Sequence, residues 1–162
     1  MAKLKGIDGV TGPILLGKLY LFRYLPSTPM KYFDLFPLVH IMRQKGNYFE
    51  GFNWHYMDMK RRSELYILLE KFFSDMPLQR DSRLIVKELK NLIFKSSRLR
   101  DARVSYRKYF KKSITSLVLT IEPPNWNKVI MKPKVEKFLI PGKGPMRDTK
   151  VWRETLIQSR KT

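Results

Sequence analysis

The hydrophobic period of this chain changes twice, and that restricts what it can fold into. Up to Met57 apolar residues alternate, from Asp58 they recur every three or four positions, and short apolar runs return after Ser113. A period of two belongs to strands and one near 3.6 to helices. The expected order is therefore three strands, a helical stretch, then two strands.

The first strand is "GKLYLFRYL", with Leu19, Leu21 and Arg23 on one face and Tyr20, Phe22 and Tyr24 on the other. Prolines 26 and 29 end it. "FPLVHIMRQ" is the second strand, and Gly46 and Asn47 in "KGN" tolerate the positive φ of a tight turn. "YFEGFNWHYM" is the third, with Gly51 marking a bulge or sharp bend. Next, Leu65, Leu68, Leu69, Phe72 and Phe73 line one face of a helix, capped by Asp58 or Ser63 and stopped before Pro77. A second helix turns Ile85, Leu89, Leu92 and Ile93 inward, with Asp81 or Ser82 as cap. "RVSYRKYFKKS" reads as a third, shorter helix, with Tyr106, Tyr109 and Phe110 on one side and the cations on the other. "ITSLVLTI" and "PKVEKFLI" are the last strands, joined by "EPPNWNKVIM", a turn plus one helical turn.

Sequential short strands broken by glycines curl into small barrels. The expected fold is α+β: an SH3-like or Tudor-like five-stranded β-barrel over residues 17–140. A helical insertion at about 60–112 separates its third and fourth strands. Residues 1–16, interrupted by Gly6, Gly9, Gly12 and Pro13, read as a leader; residues 141–162 read as a basic C-terminal tail ending in a short helix. A flat α+β sheet with helices on one face satisfies the same order.

Charge decides the class of partner. Lys and Arg total 33 against 14 Asp and Glu, a formal charge of +19. Such an excess repels itself unless a polyanion or an acidic protein neutralises it. The absence of cysteine excludes disulfides, thiolate metal sites and a cysteine nucleophile. No apolar run reaches the ~18 residues of a membrane span, and the opening residues are too polar for a secretory signal.

The segment from Lys31 to Met57 holds both histidines, His40 and His55, among eight aromatic residues. Beside them stand only Asp34, Glu50 and Asp58, too few acids for two-metal hydrolysis. The histidines are expected as strand residues, one against the core and one at the rim. Tyr32, Phe33 and Phe36 are expected as core and rim rather than as a base-stacking platform. "GKGP" at 142–145 lacks the strand and helix that make a phosphate loop, and no nucleophile elbow is present. No enzyme activity, metal or cofactor is expected. Asn53 and His55 alternate onto one face, which points to a hydrogen-bonded cluster beside Gly51, and Asp34 suits a turn or an Arg partner.

The positive signal is the pair of basic stretches. Lys95, Arg98, Arg100, Arg103, Arg107, Lys108, Lys111 and Lys112 form the first, and Lys143, Arg147, Lys150 and Arg153 dominate the second. Such density suits phosphate contacts, which need no base recognition.

"GKLYLFRYLP", "YFDLFPLV" and "GFNWHYM" together resemble a family of small proteins of T-even-type tailed bacteriophages. Its motifs run roughly P-Y-Y-D-x-F-P-L-V and G-F-x-G-L-N-x-H-Y-L. The segment "RKYFKKSITSLVLTIEPPNWNKVIMKPKVEKF" is similar in outline, so the resemblance spans about residues 17–140. Asp34, Gly51, Asn53, His55 and Tyr56 match the motif; Phe33 stands where the family has a second Tyr. The resemblance implies a phage origin rather than an activity. The expected function is a non-enzymatic phage protein binding nucleic acid, double-stranded DNA first, in packaging, genome organisation or replication. The alternatives are a virion component of neck or baseplate docking on acidic proteins, and a binder of a host ribosome or polymerase. Each places it in the host cytoplasm or virion, away from membranes.

Overall fold

The computed structural model describes residues 9–10, 14–74, 82–97, 99–132 and 138–161. Among these residues the fold is α+β, with two antiparallel sheets and four helices. The strands are β1 (Gly9–Val10), β2 (Leu19–Leu21), β3 (Phe33–Asp34), β4 (Leu38–Lys45), β5 (Tyr48–Asn53), β6 (Tyr106–Phe110), β7 (Val118–Ile121), β8 (Phe138–Ile140) and β9 (Gly144–Met146). The helices are α1 (Met59–Ser74), α2 (Ser82–Lys95), α3 (Trp126–Ile130) and α4 (Asp148–Lys161). The larger sheet has the order β1-β7-β2-β4-β5-β6 and the smaller β3-β8-β9.

The larger sheet is buried on both faces, because the two alternating sets on its strands are both apolar. Leu19, Leu21, Leu38 and Phe52 face α1 and α2, which bring Leu65, Leu69, Val86, Leu89 and Ile93. On the opposite face Tyr20, Phe22, Tyr24, Val39, Ile41, Phe49 and Tyr109 form a second core, to which no described helix contributes a buried residue. The sheet covers that core by curling. In a flat sheet β2 and β6 lie three strand spacings apart, about 14 Å. The rings of Tyr24 and Tyr109 nevertheless meet edge-on at 5.0 Å, and Phe22 reaches Tyr109 at 5.5 Å. Beyond β6 a 3-10 turn at Lys111–Ser113 swings the chain onto the end of β2, where Leu25 N–H donates to Ser113 O and Thr115 N–H to Arg23 O.

Gly51 permits the curl. A Cβ there would lie 2.7 Å from Val39 Cγ1 and 2.9 Å from the His40 carbonyl carbon, and nearer still to that carbonyl's oxygen. The expected bulge falls not on Gly51 but on the strand opposite it. The β4–β5 register slips between Ile41 and Arg43, so Met42 is the extra residue. The bulged β4 then presses its backbone onto the position where β5 has no side chain.

Several expectations need correction. The stretch 103–113 is not a helix: its centre is strand β6, paired with β5 from Tyr48↔Phe110 to Phe52↔Tyr106. Tyr106 and Tyr109 share no face. Tyr106 packs under the helices on Phe52 and Phe94, and Tyr109 enters the second core. A short apolar run fits either period, and the open edge of β5 decided the outcome. Leu92 of α2 is 45 % exposed and Val86 is buried in its place. The stretch 141–162 is not a trailing tail. It contributes β9 and a helix, α4, which buries Val151, Thr155 and Ser159. Asp58 caps α1, its Oδ1 accepting from Arg61 N–H. Pro77, Asp81, Arg98, most of the expected leader and the first part of the last expected strand lie outside the described residues, as do the side chains of Phe72, Phe73 and Ile85.

Candidate nucleic-acid interface

Asp34 organises the polar centre. It ends β3, in a tight turn where its Oδ1 accepts from Phe36 N–H at 3.0 Å. Its Oδ2 accepts from Asn53 Nδ2 at 3.0 Å and meets His55 Nδ1 at 2.8 Å. Asn53 Nδ2 also donates to Tyr109 OH at 2.9 Å, and Asn53 Oδ1 accepts from His55 N–H, starting the 3-10 turn Trp54–Tyr56. Asp34, Asn53 and His55 are all buried. Asp34 takes His55 and Asn53 as partners rather than an arginine. Among the described residues no three His, Cys, Asp or Glu side chains gather as a metal site. His40 stands apart, on the helix face of β4. Its Nε2 lies 3.0 Å from Gly17 O and its ring 4.7 Å from that of Trp126. Burial drives the His40 imidazole down to about 4, partly offset by the Gly17 contact.

Arg107 lies on the Tyr109 face of β6, opposite Gly51. Its guanidinium carbon sits 4.1 Å from the centre of the Tyr56 ring. A guanidinium stacked on a ring keeps its planar edge free to donate. Burial pushes the Tyr56 and Tyr109 hydroxyls well above the ordinary phenol range, against the opposing pull of Arg107, so both remain neutral donors. Around this pair runs a cleft of about 200 Å³, between the 26–30 loop and the chain from Arg107 to Phe110.

The remaining basic residues divide into two kinds. Arg100 and Arg103 are engaged internally. Arg100 Nε donates to Ser159 O at 3.1 Å, capping the last turn of α4, and Arg103 donates to Ser96 O after α2. Lys111 is half-buried. Lys95, Lys108, Lys112, Lys143, Arg147, Lys150 and Arg153 are exposed. Lys150 and Arg153 stand three residues apart, on one side of α4, and Lys143 and Arg147 lead up to them through the β8–β9 turn. Lys108 lies over the Tyr48 ring at 4.4 Å.

Sequence reasoning named Arg107 and Tyr56 but put them in different groups, and it missed Tyr24, Phe33 and Tyr109 as neighbours of a cleft. The available signal was the proline-bounded loop "PSTP", which breaks a two-faced strand and leaves a gap beside it.

A small α+β protein with a curled antiparallel sheet, a buried Asp34–Asn53–His55 centre and a surplus of outward cations is the class so defined. The chain belongs to the family described as phage T4 terminal DNA protecting protein, whose model matches residues 4–155. It is thus a T4-type phage protein, in line with the resemblance of its aromatic motifs. No curated protein matches the chain, and no solved structure does.

Proposed function

We propose that this chain binds the ends of linear double-stranded DNA through phosphate contacts and shields them, without catalysing a reaction. One observation carries the reading. Lys95, Lys108, Lys112, Lys143, Arg147, Lys150 and Arg153 are exposed, and none forms an ion pair with a carboxylate among the described residues. A net charge of +19 gives such cations a polyanion as their natural counterpart. The family's description, terminal DNA protection, supports the choice of DNA ends. The buried polar centre supports a non-enzymatic role, since Asp34, Asn53 and His55 Nδ1 are bound to one another, with His55 Nε2 buried and without a partner among the described residues.

The same reading takes β7-β2-β4-β5-β6 as an SH3-like barrel, half open, with α1 and α2 inserted between β5 and β6. The ring contacts between β2 and β6, and the return of the chain after Ser113 onto β2, support it. The protein acts in the host cytoplasm or in the virion. No helix among the described residues is long and apolar enough to cross a membrane. A second reading, a virion component docked on an acidic protein neighbour, is favoured by the exposed Ile67 of α1 and Leu84 and Leu92 of α2.

Filter binding of linear duplex DNA across a salt series tests the proposal. Each phosphate contact contributes about −0.9 to the log–log slope, so five or so engaged cations give a slope of about −4 to −5. Absence of binding to linear duplex at low salt overturns the proposal.

A further inference from the structure

The cleft beside Arg107 has a composition that the phosphate-contact reading does not use. Tyr24, Phe33, Tyr56, Tyr109 and Phe110 supply aromatic wall, and Pro26 and Met30 extend it at the rim. At about 200 Å³ it is smaller than the ~300–1,000 Å³ that hold drug-sized ligands. Its size suits one ring system with a short polar arm.

Arg107 is the one charge in the cleft with a planar fork of donors. It makes no ion pair with any carboxylate among the described residues, and its buried Nε has no hydrogen-bond partner there. Packing over the Tyr56 ring holds the guanidinium in the cleft, and its fork of donors suits bidentate capture of a phosphate. Asp34 also lines the cleft, but both its oxygens are bound inward by Phe36, Asn53 and His55. Ser27 and Thr28 add neutral hydroxyls near the mouth. Lys108 also lines the cleft, with its ammonium over the Tyr48 ring at 4.4 Å. Aromatic wall, the Arg107 fork, a neighbouring lysine and neutral hydroxyls together describe a planar base carrying a phosphate.

A nucleotide inside a duplex must lose stacking on both sides and its pairing to enter. A terminal nucleotide is stacked on one side only and enters at lower cost. A 5′-terminal phosphate monoester also carries more negative charge than an internal diester, whereas a 3′ end offers only a hydroxyl. Resting on the end-binding reading above, we infer that this cleft takes the 5′-terminal nucleotide of a DNA strand. Its phosphate sits on Arg107 and its base against the wall of Tyr24, Phe33 and Phe110.

The test uses the full chain and three blunt duplexes of one sequence: 5′-phosphorylated, 5′-hydroxyl, and closed at both ends by hairpin loops. Competition is read by fluorescence anisotropy at fixed salt. The expected result is a preference of about tenfold for the 5′-phosphate over the 5′-hydroxyl end, the scale of a charge-assisted hydrogen bond. Arg107→Gln abolishes that preference and weakens binding to the closed duplex by no more than the loss of one phosphate contact. Met30→Trp, which fills the cleft from the exposed rim without replacing a buried residue, abolishes the preference and leaves affinity for the closed duplex unchanged. Open ends preferred over the closed duplex, but with no effect of the 5′-phosphate, overturn the inference and leave the end-binding reading standing. So does a phosphate preference that survives in both variants. Equal binding of open and closed duplexes removes the end-binding reading itself.

Discussion

Two glycines five residues apart in the β4–β5 hairpin exist for different physical reasons, and alanine substitution separates them. Gly46 sits in the turn with φ +54° and nothing within 4 Å of a built Cβ. Alanine there pays only for the left-handed backbone, about 1–2 kcal/mol. At Gly51 the obstacle is other atoms: Val39 Cγ1 at 2.7 Å and the backbone of His40, both inside the 3.0 Å below which a Cβ contact does not survive. Val39 is fully buried and His40 lies in β4, a strand held on both sides by β2 and β5, so neither neighbour yields by a rotamer change. The strands must part by on the order of 1 Å, which overpacks one core and weakens the ladder around Ile41↔Gly51. Overpacking of ~1–3 kcal/mol plus one or two damaged ladder bonds of ~0.5–1.5 kcal/mol each gives about 4 kcal/mol. With a urea m-value of about 2 kcal/mol/M, Gly51→Ala lowers the unfolding midpoint by about 2 M and Gly46→Ala by less than about 1 M. Equal midpoints for the two variants would refute the argument that β4 presses on Gly51.

Asn53→Ala removes three hydrogen bonds at once and leaves His55 N–H and Tyr109 OH short of partners in a buried centre. The expected loss is about 3 kcal/mol in the same urea titration; a loss below about 1 kcal/mol contradicts the structural role of that cluster. His40 gives the pH dependence. Its imidazole takes a proton at about 4 in the folded chain and near 6.5 when unfolded, so between those values only the unfolded state gains the proton. Its contribution to stability is therefore intact above pH 6.5 and shrinks as pH falls toward 4, by roughly 3 kcal/mol across the window. His40→Gln is expected to flatten stability against pH between 4 and 6.5, and an unchanged slope in the variant assigns the acid sensitivity to other groups.

Much of the fold was legible because local chemistry specified it. The alternation in "GKLYLFRYL" and "FPLVHIMRQ", the turn at Lys45–Asn47, the inward Leu65 and Leu69 of the helical stripe and the Asp58 cap each act within a few residues, and each stands in the structure. The polar cluster was expected from strand alternation of Asn53 and His55, but His55 lies in the 3-10 turn after β5 and reaches Asn53 and Asp34 through that turn. Strand β6 was not legible. "YRKYF" carries aromatic and basic residues that fit a helix face or a strand equally well, and only the open edge of β5 chose between them. The packed role of the C-terminal segment was equally hidden: Val151, Thr155 and Ser159 look ordinary in sequence, and what buries them comes from residues far away along the chain. The cleft at Arg107 has the same origin, since Tyr56 and Arg107 lie on opposite sides of the two inserted helices in the chain and meet only when β6 returns to β5.

By itself the sequence determined what short-range forces govern: which segments alternate, where helices begin, and how much positive charge the surface must display. The tertiary structure alone decided which strand pairs with the open edge of β5, which arginines turn inward to cap helix ends and which cations stay exposed. Those outcomes depend on contacts between residues far apart in the chain, where the closeness of two groups is set by packing rather than by their spacing.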